Sequence, residues 1–353
     1  MIIRNAQVSL LRAPLNQPFR IATGQHDSLE NVLLTVTLSD GTQGFGEAAV
    51  ATHITGETIP QTVKNLKTMA QYLRGQDIGN YLSLCAYTNH LLSNNKAAVA
   101  AVEMALFDAL TRHLRIPLWC LWTKKPVRLA TDITIVIGSL KETQAKAKEF
   151  YAQGFRAFKI KIGKDLDLDF KRVQAVSKLA PKSTLILDAN QGFSADETLR
   201  FLKSLSRARI KVAVIEQPVP KKDWEGLKKV TRLSKVLVCA DESVSSLPEA
   251  VAAIKEKAVG AINIKLMKTG LVHAVAIARL AQAKGIKLMI GGMMESSLAM
   301  TASAHLAAGL GCFDFIDLDT PFFIKGGLKG HPCLNSHGIY DVSKIRMGIG
   351  IIP

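Results

Sequence analysis

Five ionisable residues recur along the middle of the 353-residue chain at an even pitch: Lys161, Asp188, Glu216, Asp241 and Lys265, separated by 27, 28, 25 and 24 residues. Each stands at or near the C-terminal end of an apolar run, in AFKIK, LILDAN, VAVIEQP, VLVCADES and AINIKLMK. That pitch is the length of one strand plus one helix, and in a parallel (β/α) barrel the C-terminal strand ends form a single rim where active sites lie. The spacing predicts that all five converge on one pocket, in the order amine, three carboxylates, amine.

Asp188, Glu216 and Asp241 offer hard oxygen donors with no sulfur or imidazole among them, a set that suits Mg²⁺, with Mn²⁺ as a substitute. A cation so held keeps positions open for a substrate carboxylate and neutralises the charge that develops on it. Helix N-capping would also account for acids after barrel strands, but Glu216 is a poor cap and precedes Gln217-Pro218. Side chains alternate along a strand, so Lys159 and Lys161 of KIK point the same way. Two ammonium groups this close, near a cation, are expected to disfavour each other's protonation and bring a lysine from about 10.4 toward the range of a general base. Snorkelling of surface lysines from a strand end is the bland alternative, and the phased carboxylates argue against it. Lys265 is expected two strands beyond Asp241, on the far side of the pocket from Lys161. Two amines would then flank one group, and removal of a weakly acidic proton beside a carboxylate would draw on both a base and charge stabilisation of the enolate.

The elements that must position these residues are legible in the periodicity. Residues 2–12, 31–38 and 43–50 read as strands, with the turn Ser39-Asp40-Gly41 between the last two, an antiparallel meander. Helical patterns follow near 58–74, 79–92 and 95–114, the last running AAVAAVEMALFDAL with Glu103 and Asp108 among small apolar residues. This is an α+β domain. After Pro117 and Pro126 strands alternate with helices. Strands are expected at 131–137, 156–161, 184–188, 212–216, 236–241, 260–265, 286–290 and 313–318. Seven helices fill the gaps at about 141–153, 165–179, 194–207, 222–234, 247–257, 270–284 and 295–309, and none is expected after the eighth strand. The fold class is α/β, a modified (β/α)7β barrel at 128–320 with an α+β capping domain at 1–120. Residues 321–353, with Gly326-Gly327, Gly330 and Pro332, are expected to leave the barrel and complete the cap.

Composition narrows the function classes. Hydrophobic content of 48% and charged content of 21% describe an ordinary globular protein. No apolar stretch reaches about 18–20 residues, and Arg4 and Arg12 interrupt the N-terminal segment too early for a signal-peptide core, so a cytoplasmic protein without a membrane partner is expected. Five scattered cysteines without a CxxC pair, and eight histidines without HxH or HExxH, speak against a disulfide frame or a zinc hydrolase. The net charge of +16 is spread thinly, in doublets such as Lys124-Lys125 and Lys228-Lys229, without aromatic interleaving. That pattern is a solvated surface with weak steering of anions rather than a nucleic-acid site.

Together these motifs resemble the enolase superfamily, and the KxK with a second lysine resembles its muconate-lactonizing subgroup. The resemblance spans nearly the whole chain, through FKIKIGKD, LDANQG, EQPV, ADES, NIKLMKTG and GGMMESS. It implies that Lys161 and Lys265 are paired acid/base residues, serving the L and the D centre respectively, and that Asp188, Glu216 and Asp241 bind Mg²⁺. The eighth strand ends FIDLDTP, where Asp317 and Asp319 share a face. In dipeptide epimerases a DxD at this place holds the free α-amino group, although turn and cap chemistry before Pro321 would also use such acids. The loop Phe19 to Asp27 and the segment His53-Ile54-Thr55-Gly56-Glu57 are expected to close the pocket. An arginine that grips glutamate in the L-Ala-D/L-Glu enzymes aligns with Gly24, and Arg20 and His26 are the nearby cations. Lys159, Gly24, Thr134, Met293 and Ile54 complete the expected substrate contacts, with Asn190, Lys268 and Glu242 as auxiliaries.

The resemblance thus implies a Mg²⁺-dependent dipeptide epimerase that inverts the α-carbon of the C-terminal residue by 1,1-proton transfer, with L-Ala-D/L-Glu of murein peptides as leading substrate. Relatives form dimers and octamers, so a homo-oligomer is compatible with it. A muconate cycloisomerase, an o-succinylbenzoate synthase or an N-succinylamino acid racemase is the alternative within enzymes, and Asp317 and Asp319 argue against it because such substrates carry no free amine. A catalytically silent basic binding protein is the alternative outside enzymes, and retention of both lysines and all three acids argues against that.

Overall fold

The computed structural model describes residues 1–21 and 24–353, and only the backbone at His53. The chain opens with a long antiparallel hairpin, β1 (Ile3–Ile21) and β2 (Gly24–Leu38), extended by β3 (Gln43–Ala48). Helices α1 (Thr52–Thr55), α2 (Ile59–Leu73), α3 (Tyr81–Leu91) and α4 (Lys96–His113) follow. α4 is buried along nearly all its length because its alanines let β3 approach closely. A Cβ on Gly46 would lie 1.8 Å from the Ala101 carbonyl oxygen, so only glycine fits there.

The first two strands run well beyond the expected 2–12 and 31–38. The segment Phe19 to Asp27, expected as a loop, is strand: Phe19 pairs with His26, Arg20 with Gln25 and Ile21 with Gly24, while Ala22 and Thr23 lie outside the described residues. A register irregularity between Pro14 and Phe19 explains why the alternation is broken in the sequence. The Ile137 amide donates to the Arg20 carbonyl at 3.1 Å, which fastens the hairpin end to the barrel rim.

The short β4 (Leu129–Ala130) precedes eight parallel strands joined by helices: β5 (Ile133–Ile135), α5 (Leu140–Ala152), β6 (Ala157–Lys161), α6 (Leu166–Leu179), β7 (Thr184–Asp188), α7 (Ala195–Arg207), β8 (Val214–Glu216) and α8 (Trp224–Leu233), then β9 (Leu237–Ala240), α9 (Leu247–Lys255), β10 (Ala261–Lys265), α10 (Leu266–Ala283), β11 (Lys287–Gly291), α11 (Ser297–Leu310) and β12 (Phe315–Ile316). The strands lie in one sheet in chain order, and the Asp132 amide donates to the Ile316 carbonyl at 2.8 Å, bridging the last strand back to the first. Local chemistry starts the helices: Ser139 with Glu142 and Ser194 with Glu197 form reciprocal capping boxes at α5 and α7. The tail pairs β13 (Ile339–Tyr340) with β4, while Ile324 bridges to Leu15 and Gly348 to Pro117. It therefore ties the barrel's start to the cap.

Buried acids lock the cap to the barrel. Glu103 of α4 accepts from the Leu271 and Val272 amides at 2.5 and 2.9 Å, where α10 breaks at Gly270 (φ 68°). Glu47 of β3 accepts from the Ser296 amide at 2.9 Å and from the Ser296 hydroxyl. Each carboxylate satisfies helix N-terminal amides that would otherwise be orphaned.

Candidate active site

Lys161, Asp188, Glu216 and Lys265 are the last residues of β6, β7, β8 and β10, and Asp241 directly follows β9. In the register Lys161 stands beside Asp188, and Asp188 beside Glu216. Lys265 ends the strand immediately after the Asp241 strand, one strand on rather than two. β6 and β10 are nevertheless four strands apart in a ring of eight, which puts Lys161 and Lys265 on opposite sides. All five side chains are buried, as is Lys159.

Ammonium groups stand among the acids. Lys159 Nζ lies 3.0 Å from Asp188, 2.8 Å from Glu216 and 2.7 Å from Asp317. Lys161 donates to Asp188 at 2.7 Å, and Lys265 to Asp241 at 2.7 Å. Lys268 donates to Asp241 Oδ1 at 2.7 Å and to three backbone carbonyls.

Burial disfavours charge on Asp188 and Asp241, but the adjacent lysines overcome it and hold both carboxyls below the ordinary range. Glu216 is pushed up to about 7 by burial and by the Asp188 charge. Burial works against the Lys159 and Lys265 ammoniums, yet Asp188 and Asp241 respectively head the carboxylates that hold both above the usual lysine value. At Lys159 the expected lowering by a second amine is outweighed, because carboxylates are its nearest neighbours.

The donor set fits a hard divalent cation: three carboxylates from successive strand ends, each at most 1% exposed. Lys159, Lys161, Lys265 and Lys268 stand against the same carboxylates.

Above these groups lies a pocket open to the cap. Lys159, Lys161, Lys265, Asn190, Thr134, Asp317 and Asp319 line its polar side. Phe19, Ile21, His26 and Ile54 from the cap, with Met293, Met294 and Met300, line the other. Gly24 is not in this lining; it pairs with Ile21 at the hairpin end. Glu242 stands behind it, accepting from Gln191 at 3.2 Å. Arg20 points the other way, donating to Gln25 at 3.0 Å and facing Glu142 at 3.9 Å. Of the expected closing segment His53 to Glu57, the His53 side chain lies outside the described residues. Glu57 is drawn into the cap, accepting from the Lys96 amide at 2.5 Å, and Ile54 is fixed through its carbonyl by Lys221.

Sequence reasoning misses Met294 and Met300 of the lining, and also one acid beside it. Asp132 is 1% exposed, and the carboxylates of Asp132, Asp317 and Asp319 present oxygens all within 4.8 Å of one another. It lies two residues before Thr134, on the same face of the strand.

Residues 5–122 match the N-terminal domain of the mandelate racemase/muconate lactonizing enzymes, and residues 142–353 match the enolase C-terminal domain-like family. A hydrophobic dipeptide epimerase of Citrifermentans bemidjiense is 52% identical, over 99% of this chain and 98% of that one. The substrate-liganded L-Ala-D/L-Glu epimerase of Bacillus subtilis superposes with a TM-score of 0.95 at 33% identity, covering 100% of this chain and 99% of that one. The Enterococcus faecalis V583 dipeptide epimerase complexed with Mg and L-Leu-L-Tyr gives 0.94 at 30% identity, covering 99% of each chain. With two lysines facing each other across a barrel of phased acids, and both domains matched in order, the chain belongs to the mandelate racemase/muconate lactonizing enzymes of the enolase superfamily.

Proposed function

We propose that this protein is a dipeptide epimerase that inverts the α-carbon of the C-terminal residue. The observation that carries the reading is the placement of Lys161 and Lys265 on opposite walls of one pocket whose end is closed by Asp317 and Asp319. One amine, unprotonated, takes the α-proton from its face. The other, as an ammonium, returns a proton to the opposite face, so the step is redox-neutral and reversible. Asp317 and Asp319 hold the substrate's N-terminal ammonium, and the hairpin end with Ile54 shields the reacting carbon from water. Asp188, Glu216 and Asp241 would hold Mg²⁺, with Mn²⁺ as a substitute; when bound it supplies positive charge against the substrate carboxylate as the α-proton leaves.

The substrate reading shifts from L-Ala-D/L-Glu toward hydrophobic dipeptides. Phe19, Ile21, Ile54 and Met293 give the pocket an apolar side suited to an apolar C-terminal side chain, and Arg20, one of the two cations near the pocket in sequence, faces away. His26 remains in the lining, so an acidic residue is the second choice. The similarity to a hydrophobic dipeptide epimerase supports the first choice, and with it a general role in salvaging peptides rather than one confined to murein. Five unpaired cysteines fit a cytoplasmic setting, and no helix among the described residues is long and apolar enough to cross a membrane.

A library of L-Ala-X dipeptides incubated with protein and Mg²⁺ in D₂O tests this by mass spectrometry. A gain of one mass unit strongest for X = Leu, Phe or Tyr is expected. A gain strongest for Glu would restore the murein substrate, and none across the library would return the reading to the cycloisomerases and synthases.

A further inference from the structure

We infer that Asp132 is a third acceptor for the substrate's N-terminal ammonium, completing with Asp317 and Asp319 a cage that selects free primary amines. The inference rests on the dipeptide reading above and extends it to a residue outside the DxD pair.

The three acids come from the two strands that meet where the barrel closes, Asp132 just before β5 and Asp317 and Asp319 after β12. Their bonding is unequal. Asp317 accepts from Lys159 at 2.7 Å, and Asp319 accepts from the Thr134 amide at 2.6 Å. Neither oxygen of Asp132 has a hydrogen-bond partner among the described residues, although the residue is 1% exposed. A buried carboxyl without a donor is costly, and every such group calls for an explanation. Asp317 and Asp319 line the reaction pocket, and Asp132 lies directly against them.

The geometry suits an ammonium. A point equidistant from three oxygens no more than 4.8 Å apart lies within about 2.8 Å of each, an N–H···O length. A primary ammonium carries three donors, and three acceptors at tetrahedral angles satisfy it fully. The donors already bound to two of these acids are an ammonium and an amide, which favours a nitrogen guest over a divalent cation beside Lys159. Burial and the neighbouring acids raise Asp132 and Asp319, Asp319 to about 7, and a cation between them would oppose that rise.

The test is calorimetric binding of L-Ala-L-Leu and of N-propionyl-L-Leu, the same molecule without its amine, in saturating Mg²⁺. Wild type is expected to favour the dipeptide. Asp132→Asn, which keeps the amide link to Ile316, is expected to weaken dipeptide binding by about 10- to 100-fold. The desamino ligand should move by less than about twofold, the error typical of a surface-neutral change. Asp132→Ser serves as the second variant if Asn distorts the strand.

Equal weakening of both ligands would mean a merely structural role and would overturn the inference. So would no change in either, or a wild type that does not discriminate between them. A second Mg²⁺ equivalent bound by wild type and lost in Asp132→Asn would assign the cluster to a metal instead. The dipeptide reading fails separately: wild type that binds the dipeptide and never exchanges its α-proton would contradict catalysis while leaving the cage in place.

Discussion

Phe19 and Arg20 are neighbours in β1 and face opposite ways: Phe19 lines the reaction pocket, while Arg20 reaches Gln25 and Glu142 on the other side of the hairpin. Strand alternation makes this unavoidable, so a cation close in sequence to the pocket is excluded from it.

Arg20→Ala should therefore leave kcat/KM for L-Ala-L-Leu within about twofold, as expected for an exposed polar partner. Ile54→Arg places a cation on the pocket side instead. The ratio of kcat/KM for L-Ala-L-Glu over L-Ala-L-Leu should then rise by about tenfold or more. Steady-state polarimetry on both substrates checks it.

Replacing Asp317 and Asp319 together by Asn should cost dipeptide turnover at least about 30-fold, since loss of a buried charge partner costs about 2–5 kcal/mol. Circular dichroism establishes that the fold persists. Activity near wild type would exclude them as ammonium partners and favour the synthase reading.

Glu103 adds a pH dependence to stability. Burial raises its carboxyl to about 7 in the folded protein, against the backbone bonds from Val272 and Leu271 that lower it. The folded state then binds more protons than the unfolded state between about 4.5 and 7, so this group's contribution is complete at low pH and is lost as pH rises through 7. Its size is on the order of 3 kcal/mol. Thermal melts of wild type and Glu103→Gln from pH 5 to 8 should show their Tm difference changing across that window. A constant difference would contradict the raised carboxyl.

Gly270→Ala should lower Tm by about 5 °C or more, combining left-handed strain of about 1–2 kcal/mol with overpacking. The added Cβ would lie 2.5 Å from the Glu103 carboxylate. A melt unchanged from wild type would show that the break in α10 tolerates a side chain.

How far the site is legible in the sequence differs from residue to residue. Lys161, Asp188, Glu216, Asp241 and Lys265 are readable because each ends an apolar run and the barrel converts an even pitch into convergence. The longer helices of both domains are readable from their apolar periodicity, whereas the single turn α1 is not, and α10 carries an extra turn from Leu266 before its break at Gly270. The hairpin end is not readable, since the pairs Phe19–His26 and Ile21–Gly24 lie beyond a register irregularity between Pro14 and Phe19 that breaks the alternation. Nor are the lysine environments, because Lys159 meets Asp317 from 158 residues away. Asp132 is hidden by isolation: a lone acid before a strand means nothing until β12 closes on β5.

The two-base claim is tested most directly by ¹H NMR of L-Ala-L-Leu and L-Ala-D-Leu in D₂O with Mg²⁺, using wild type, Lys161→Ala and Lys265→Ala. Wild type should exchange the Leu α-proton of either epimer and generate the other. Each single variant should lose epimerisation yet retain exchange of one epimer, Lys265→Ala the L form and Lys161→Ala the D form. Epimerisation surviving in either variant, or both variants retaining exchange of the same epimer, would contradict proton transfer between opposed lysines.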